Sequence, residues 1–132
     1  MATTTANISI SSSDLIPGMA MNYYKSSTLH KAGSCTGLSR IQSGTKDYSS
    51  TSTVELLDES VVTTDGANKL YIKNLSTDTT EYITVFIQSE ELGRLYAGDW
   101  MFIPWSAGSS NNVQVAPSVA TSMKLEYVLV HE

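Results

Sequence analysis

Leu92-Gly93-Arg94-Leu95-Tyr96-Ala97-Gly98-Asp99-Trp100-Met101-Phe102-Ile103-Pro104-Trp105 holds both tryptophans, one of the two phenylalanines and one of the three prolines. Aromatic side chains bury large areas, and no other stretch is so dense in them. Leu92–Tyr96 reads as one short strand and Trp100–Ile103 as another. Ala97-Gly98-Asp99 between them is turn chemistry, with Gly98 free to take positive φ. Pro104 cannot donate to a ladder and marks a strand end or an edge. The stretch predicts a β-hairpin whose aromatic face closes a sandwich.

Downstream and upstream of it, strand follows strand. Met123–His131 reads as the last strand, with Leu125, Tyr127 and Leu129 on one face and Glu126, Val128 and Val130 on the other. Its two apolar faces suit a central position. Glu81–Gln88 is rich in β-branched and aromatic residues, and Ile83, Val85 and Ile87 should point inward. Lys69–Asn74 alternates, with Leu70 and Ile72 sharing a face. Val54–Asp58 and Val113–Val115 are shorter strands, the latter stopped by Pro117. Ser106–Asn112 reads as a flexible polar loop. With no helical periodicity, the pattern predicts an all-β fold, a β-sandwich or jelly-roll-like domain over 54–132.

Residues 1–53 differ. Serines and glycines are scattered through them, and apolar residues come in bursts: Ile8 and Ile10, Leu15 and Ile16, Met19 and Met21, Tyr23 and Tyr24. Ile8-Ser9-Ile10 alternates as a short strand, and Pro17-Gly18 is a turn. The segment looks too poor in apolar surface to offset its own ordering entropy. It is expected to be an extended N-terminal arm ordered by contact, either with a second chain covering at least part of it or folded across its own domain.

Of the 132 residues, 41% are hydrophobic and 16% charged, and the formal charge is −5. Ser and Thr make up about a quarter, above ordinary usage. An acidic chain without clustered Lys and Arg argues against a nucleic-acid partner. Cys35 is the sole cysteine, so an intrachain disulfide framework is excluded. No apolar run reaches the roughly 20 residues of a membrane span. The first residues lack the basic and apolar regions of a secretory signal, so synthesis and assembly in the cytoplasm are expected.

Candidate chemistry is sparse. His30 and His131 do not fall in a zinc-binding spacing. Cys35, in G-S-C-T-G-L-S, lacks the strand-to-helix context of a nucleophile turn. Asp58-Glu59 and Glu90-Glu91 could face each other across a glycosidase cleft, yet edge and turn carboxylates of this kind commonly keep a surface soluble. Asp65 and Asp78 lie in polar loops without a calcium-loop pattern. No cofactor, metal or catalytic residue is expected, and the chain reads as non-enzymatic. Trp100 and Trp105, with Tyr96, fit either a core and subunit interface or a flat platform for sugar. The expected interface residues are Ile8, Ile10, Leu15, Ile16, Tyr23, Tyr24, Tyr96, Trp100 and Trp105.

K-L-Y-I-K-N-L-S-T at 69–77, the block at 92–105 and A-P-S-V-A-T-S-M-K-L-E-Y-V-L-V-H-E from Ala116 resemble small virion structural proteins of tailed bacteriophages of the cyanobacterial and marine type. T-A-N-I-S-I-S-S-S-D-L at 5–15 and K-A-G-S-C-T-G-L-S-R at 31–40 share that look. The resemblance implies a place in a particle rather than a mechanism. It implies a homo-oligomeric capsid decoration (cement) protein that binds the major capsid protein, most readily on the capsid exterior. A neck or tail component is the alternative, and a carbohydrate-binding module for host glycans is a third reading. Neither nucleic acid nor membrane is expected as a partner.

Overall fold

The computed structural model describes residues 3–108 and 110–132, with the backbone alone at Leu15 and Ile16. Its strands are β1 (Thr4–Ile16), β2 (Met19–Leu29), β3 (Arg40–Tyr48), β4 (Val54–Leu57), β5 (Asn68–Asn74), β6 (Tyr82–Ile87), β7 (Glu90–Tyr96), β8 (Trp100–Trp105), β9 (Val113–Pro117) and β10 (Met123–His131). A 3₁₀ turn, Glu59–Val61, follows β4, capped by the Asp58 carboxylate accepting from the Ser60 N–H.

The chain forms two compact units, residues 1–39 and 40–132. In the second, two four-stranded antiparallel sheets have the orders β3-β10-β5-β8 and β4-β9-β6-β7. The pairs β3·β10, β4·β9, β5·β8 and β6·β7 are nested, each enclosing the next in sequence. Joined through β10·β5 and β9·β6, they give the two-sheet jelly roll. The domain expected from the sequence is therefore an all-β sandwich, and its strand order is that of a jelly roll.

The core follows the alternation. Leu70 and Ile72 of β5, Leu125 and Leu129 of β10, Ile83 and Val85 of β6, and Val113 and Val115 of β9 are all buried. Strand β10 lies between β3 and β5, as its two apolar faces suggest.

Three expectations need correcting. The 92–105 stretch is not a hairpin. Strand β7 pairs with β6 in one sheet, and β8 pairs with β5 in the other. Ala97-Gly98-Asp99 is instead an arch between the sheets, with Gly98 at φ 81° and the Asp99 N–H donating to the Tyr96 carbonyl at 2.9 Å. Alternation assigns faces but not neighbours, and both strands offer an apolar face to the same core. Second, residues 40–48 are not part of an arm. The units divide at 39/40 rather than near 53, because β3 pairs with β10 along its whole length. Strand β3 is nearly devoid of apolar side chains. Its fit comes from Gly44, where an added Cβ would stand 3.2 Å from the Tyr127 ring. Third, the rest of the expected arm is no extended arm. It is an antiparallel ribbon in which β1 pairs with β2 and turns at Pro17 and Gly18 (φ 79°).

Candidate interaction surfaces

The ribbon is amphipathic across its width. Continuous register runs over nine pairs, Thr4↔Leu29 to Ser12↔Met21. Directly opposed residues share a face, so Ala6, Ile8, Ile10, Met21, Tyr23, Lys25 and Leu29 lie on one side, together with the polar Thr4, Ser12 and Ser27. Asn7, Ser9, Ser11, Asn22, Tyr24 and Ser26 lie on the other. The middle of the first side is open, with Ile10 50% exposed and Tyr23 48%, while Leu29 at its end is buried. Lys25 lays its ammonium 6.0 Å from the Tyr23 ring centre. On the polar side the Tyr24 hydroxyl donates to Asn7 Oδ1 at 3.2 Å. Ile8, Ile10 and Tyr23 thus share one face while Tyr24 takes the opposite one. The side chains of Leu15 and Ile16 lie outside the described residues.

The two tryptophans are separated by the sheet. Five residues apart on β8, they point to opposite faces. Trp105 is 1% exposed, and its indole N–H donates to the Asn111 carbonyl at 2.8 Å. It belongs to the core and cannot meet a partner, so the expected pairing of Trp100 with Trp105 on one platform fails. Trp100 is 49% exposed on the outward face of the β3-β10-β5-β8 sheet, its ring 6.0 Å from that of Tyr71. Register sets three outward rows there: Ile41-Val130-Lys69-Pro104, Ser43-Val128-Tyr71-Phe102 and Thr45-Glu126-Lys73-Trp100. The face is mostly apolar and aromatic, with Ile41 and Trp100 among its exposed members.

Tyr96 lies on the other sheet. Its ring is 5.5 Å from that of Tyr82, and the Arg94 guanidinium stands 4.7 Å over Tyr82. That outward face is more polar, carrying Glu55, Gln114, Thr84 and Arg94. Tyr96 and Trp100 therefore serve different surfaces.

The carboxylates are engaged in holding loops. Glu59 Oε1 accepts from the Ser110 N–H at 3.3 Å, and Asn112 bonds both the Glu59 N–H and Glu55 Oε2, at 3.0 and 2.7 Å. The expected flexible 106–112 loop is stapled to the 3₁₀ turn by these bonds. Asp78 accepts from the Thr80 N–H and hydroxyl, which holds its carboxyl below the usual value; Ser60 does the same for Asp58. A shallow cavity of about 320 Å³ lies beside Ser76, Asp78, Glu81 and Lys124. Ser76 donates to Glu81 within it, so that carboxylate is already partnered. Among the described residues no group of three or more His, Cys, Asp or Glu could hold a metal ion.

His131 is buried at the end of β10. Desolvation, and then the nearby Arg40 charge, lower its pKa. His30 closes a bridge with Gly37, and Cys35 is exposed in the loop between them.

No family model matches the chain, and no curated protein matches it. Among solved structures it is similar to the Yersinia pseudotuberculosis-derived mitogen, with 12% identity and a TM-score of 0.45 over 70% of this chain and 86% of that one. At that level of likeness nothing about binding or activity transfers.

Proposed function

We propose that the protein is a non-catalytic structural component that works by surface contact in a multi-copy assembly. Its specific form is a virion decoration protein bound to the major capsid lattice of a tailed phage. The observation that carries the reading is the ribbon, whose alternation gathers Ile8, Ile10, Met21 and Tyr23 on one side, with Ile10 and Tyr23 about half exposed. A two-stranded ribbon is marginal in water by itself, and such a face is the kind that marks an interaction surface. The sequence resemblance of residues 69–77, 92–105 and 116–132 to phage virion proteins supplies the particle. A jelly roll alone would not, since one fold hosts many functions. Many weak contacts repeated over a lattice hold through avidity. An acidic chain, at −5, suits an outer shell better than a DNA-lined lumen.

Quantitative mass spectrometry of purified virions tests this. A copy number comparable to that of the major capsid protein is expected. About a dozen copies would move the protein to the neck or tail, and absence from virions would overturn the reading.

A second reading rests on Trp100 and Tyr71, which stand together on an outward face with Lys73 and Glu126 beside them. An aromatic pair flanked by donors and acceptors is suited to a saccharide. Binding to a glycan array that is lost in Trp100→Ala would favour it.

A further inference from the structure

We propose that the free edge of β3 pairs with the β3 edge of a second copy of this chain. The two β3-β10-β5-β8 sheets then join into one antiparallel sheet across a two-fold axis at Gly44. This pairing is independent of the virion reading above and rests on the strand edges alone.

The jelly roll has four sheet edges, β3 and β8 in one sheet and β4 and β7 in the other. An open edge invites another strand, and folded proteins block it with short strands, bulges, proline or charge. Three of the four are blocked in this way. Strand β8 carries Pro104. Strand β4 is four residues long with a register shift. Strand β7 has a register shift beside Gly93 and bears Glu90, Glu91 and Arg94. Strand β3 runs nine residues in unbroken register with β10 and has no proline. Its inward-pointing Lys46 already donates to the Leu56 carbonyl, so covering the edge strips that ammonium of nothing.

Backbone direction fixes the register. The Leu75 N–H donates to the Lys124 carbonyl at 2.9 Å, so even-numbered residues of β10 turn their backbone groups toward β5. Odd-numbered ones turn theirs toward β3, onto Arg40, Gln42, Gly44, Lys46 and Tyr48. The N–H and C=O groups of Ile41, Ser43, Thr45 and Asp47 therefore point out of the edge. Among the described residues no backbone–backbone bond reaches them from that side. A two-fold pairing that uses the whole strand must centre on Gly44. It sets Ile41 against Asp47 and Ser43 against Thr45, matching open groups to open groups. Arg40 then meets Tyr48 and Lys46 meets Gln42, so no charge directly faces its like. The joined sheet ends in β8 on both sides, and Pro104 guards each end, so pairing closes at two copies. That closure selects a second copy over a foreign strand, which would leave its own outer edge open. The seam holds little apolar area, so the dimer is weak and forms as concentration rises.

Sedimentation velocity and amide hydrogen exchange of the full-length chain over a concentration series provide the test. The wild type should pass from monomer to dimer. The amides of Ile41, Ser43, Thr45 and Asp47 should then exchange roughly tenfold more slowly, while those of Gln42, Gly44 and Lys46 are slow throughout. Ser43→Pro removes an N–H that β10 does not use, which an edge strand tolerates, and should abolish the dimer. Thr45→Lys, at an exposed position, brings two ammonium groups together across the axis and should weaken pairing by roughly tenfold. In a mixture of isotope-labelled and unlabelled chains, Ser43 of one copy should show magnetisation transfer to Thr45 of the other. A wild type that stays monomeric at every concentration would overturn the pairing. So would a dimer indifferent to both variants, or one without the Ser43–Thr45 contact.

Discussion

Asn74 is the residue that ties the two sheets together. It ends β5, fully buried, and its Nδ2 donates to the Leu95 carbonyl of β7 at 3.0 Å. Its Oδ1 accepts from the Ser76 N–H at 2.9 Å, while its backbone exchanges hydrogen bonds with Gly98 and Asp99 of the arch. Asn74→Ala strips the buried Leu95 carbonyl of a partner, at about 1–3 kcal/mol for a buried group left unsatisfied, and frees the half-buried Ser76 N–H. A loss of about 1–3 kcal/mol in denaturant-unfolding stability is expected. The sequence shows Asn74 only as the end of an alternating strand, because a side-chain amide carries no sign of which backbone it will reach. His131 makes a pH-dependent contribution. Its folded pKa lies below its unfolded value near 6.5, so the unfolded chain binds the proton first. Stability should therefore hold at neutral pH and fall as pH drops below about 6.5, by at most about 1.4 kcal/mol per pH unit for one proton. Asp58 and Asp78 act lower. Their contribution is present above the ordinary carboxyl value of 3.8 and is lost as pH falls through their depressed values. The window from pH 6.5 to 5 isolates the histidine, and thermal unfolding of His131→Gln should be flatter there than that of the wild type.

Strand β3 shows what an element owes to its neighbours. Arg-Ile-Gln-Ser-Gly-Thr-Lys-Asp-Tyr has no apolar alternation, and so reads as part of a polar arm. The structure pairs it with β10 through nine residues and seats Gly44 against the Tyr127 ring. Lys46 crosses to the Leu56 carbonyl of the opposite sheet, with its ammonium 5.9 Å from the Tyr127 ring centre. Beside it Tyr48 is pushed up to about 12, mainly by burial. Gly44→Val forces branched carbons into the Tyr127 ring and should cost about 1–3 kcal/mol, as overpacking does. Strands β5, β6, β9 and β10 were legible because half-buried strands write their face into a period of two. Edge strand β3 and the arch at 97–99 were not. One lies where partner strands rather than its own side chains specify pairing, and the other depends on which sheet each flanking strand joins. Truncation separates the two domain boundaries. A chain of residues 40–132 keeps every strand of the jelly roll and should unfold in one cooperative transition. A chain of 54–132 loses β3, bares the edge of β10 and should aggregate or melt without cooperativity.

At the scale of the whole molecule, the chain joins an acidic, well-packed jelly roll to a nearly uncharged ribbon that leaves the middle of one apolar side open. The ribbon's short apolar bursts were visible in the sequence. The pairing of β1 with β2 was not, since Ser- and Thr-rich strands carry little periodic signal beyond Ile8-Ser9-Ile10. The surface candidates divide accordingly: Ile8, Ile10 and Tyr23 gather on one face, Trp100 and Tyr96 lie on separate sheets, and Trp105 is core. Coverage of that ribbon face in the assembled protein is the central claim, and Tyr23 and Tyr24 are adjacent reporters on its two sides. Hydroxyl-radical footprinting of the protein, free and then in purified virions, measures it directly. The account predicts that Tyr23 and Met21 become protected on assembly while Tyr24 stays reactive. Equal reactivity of Tyr23 and Tyr24 in both states would contradict it.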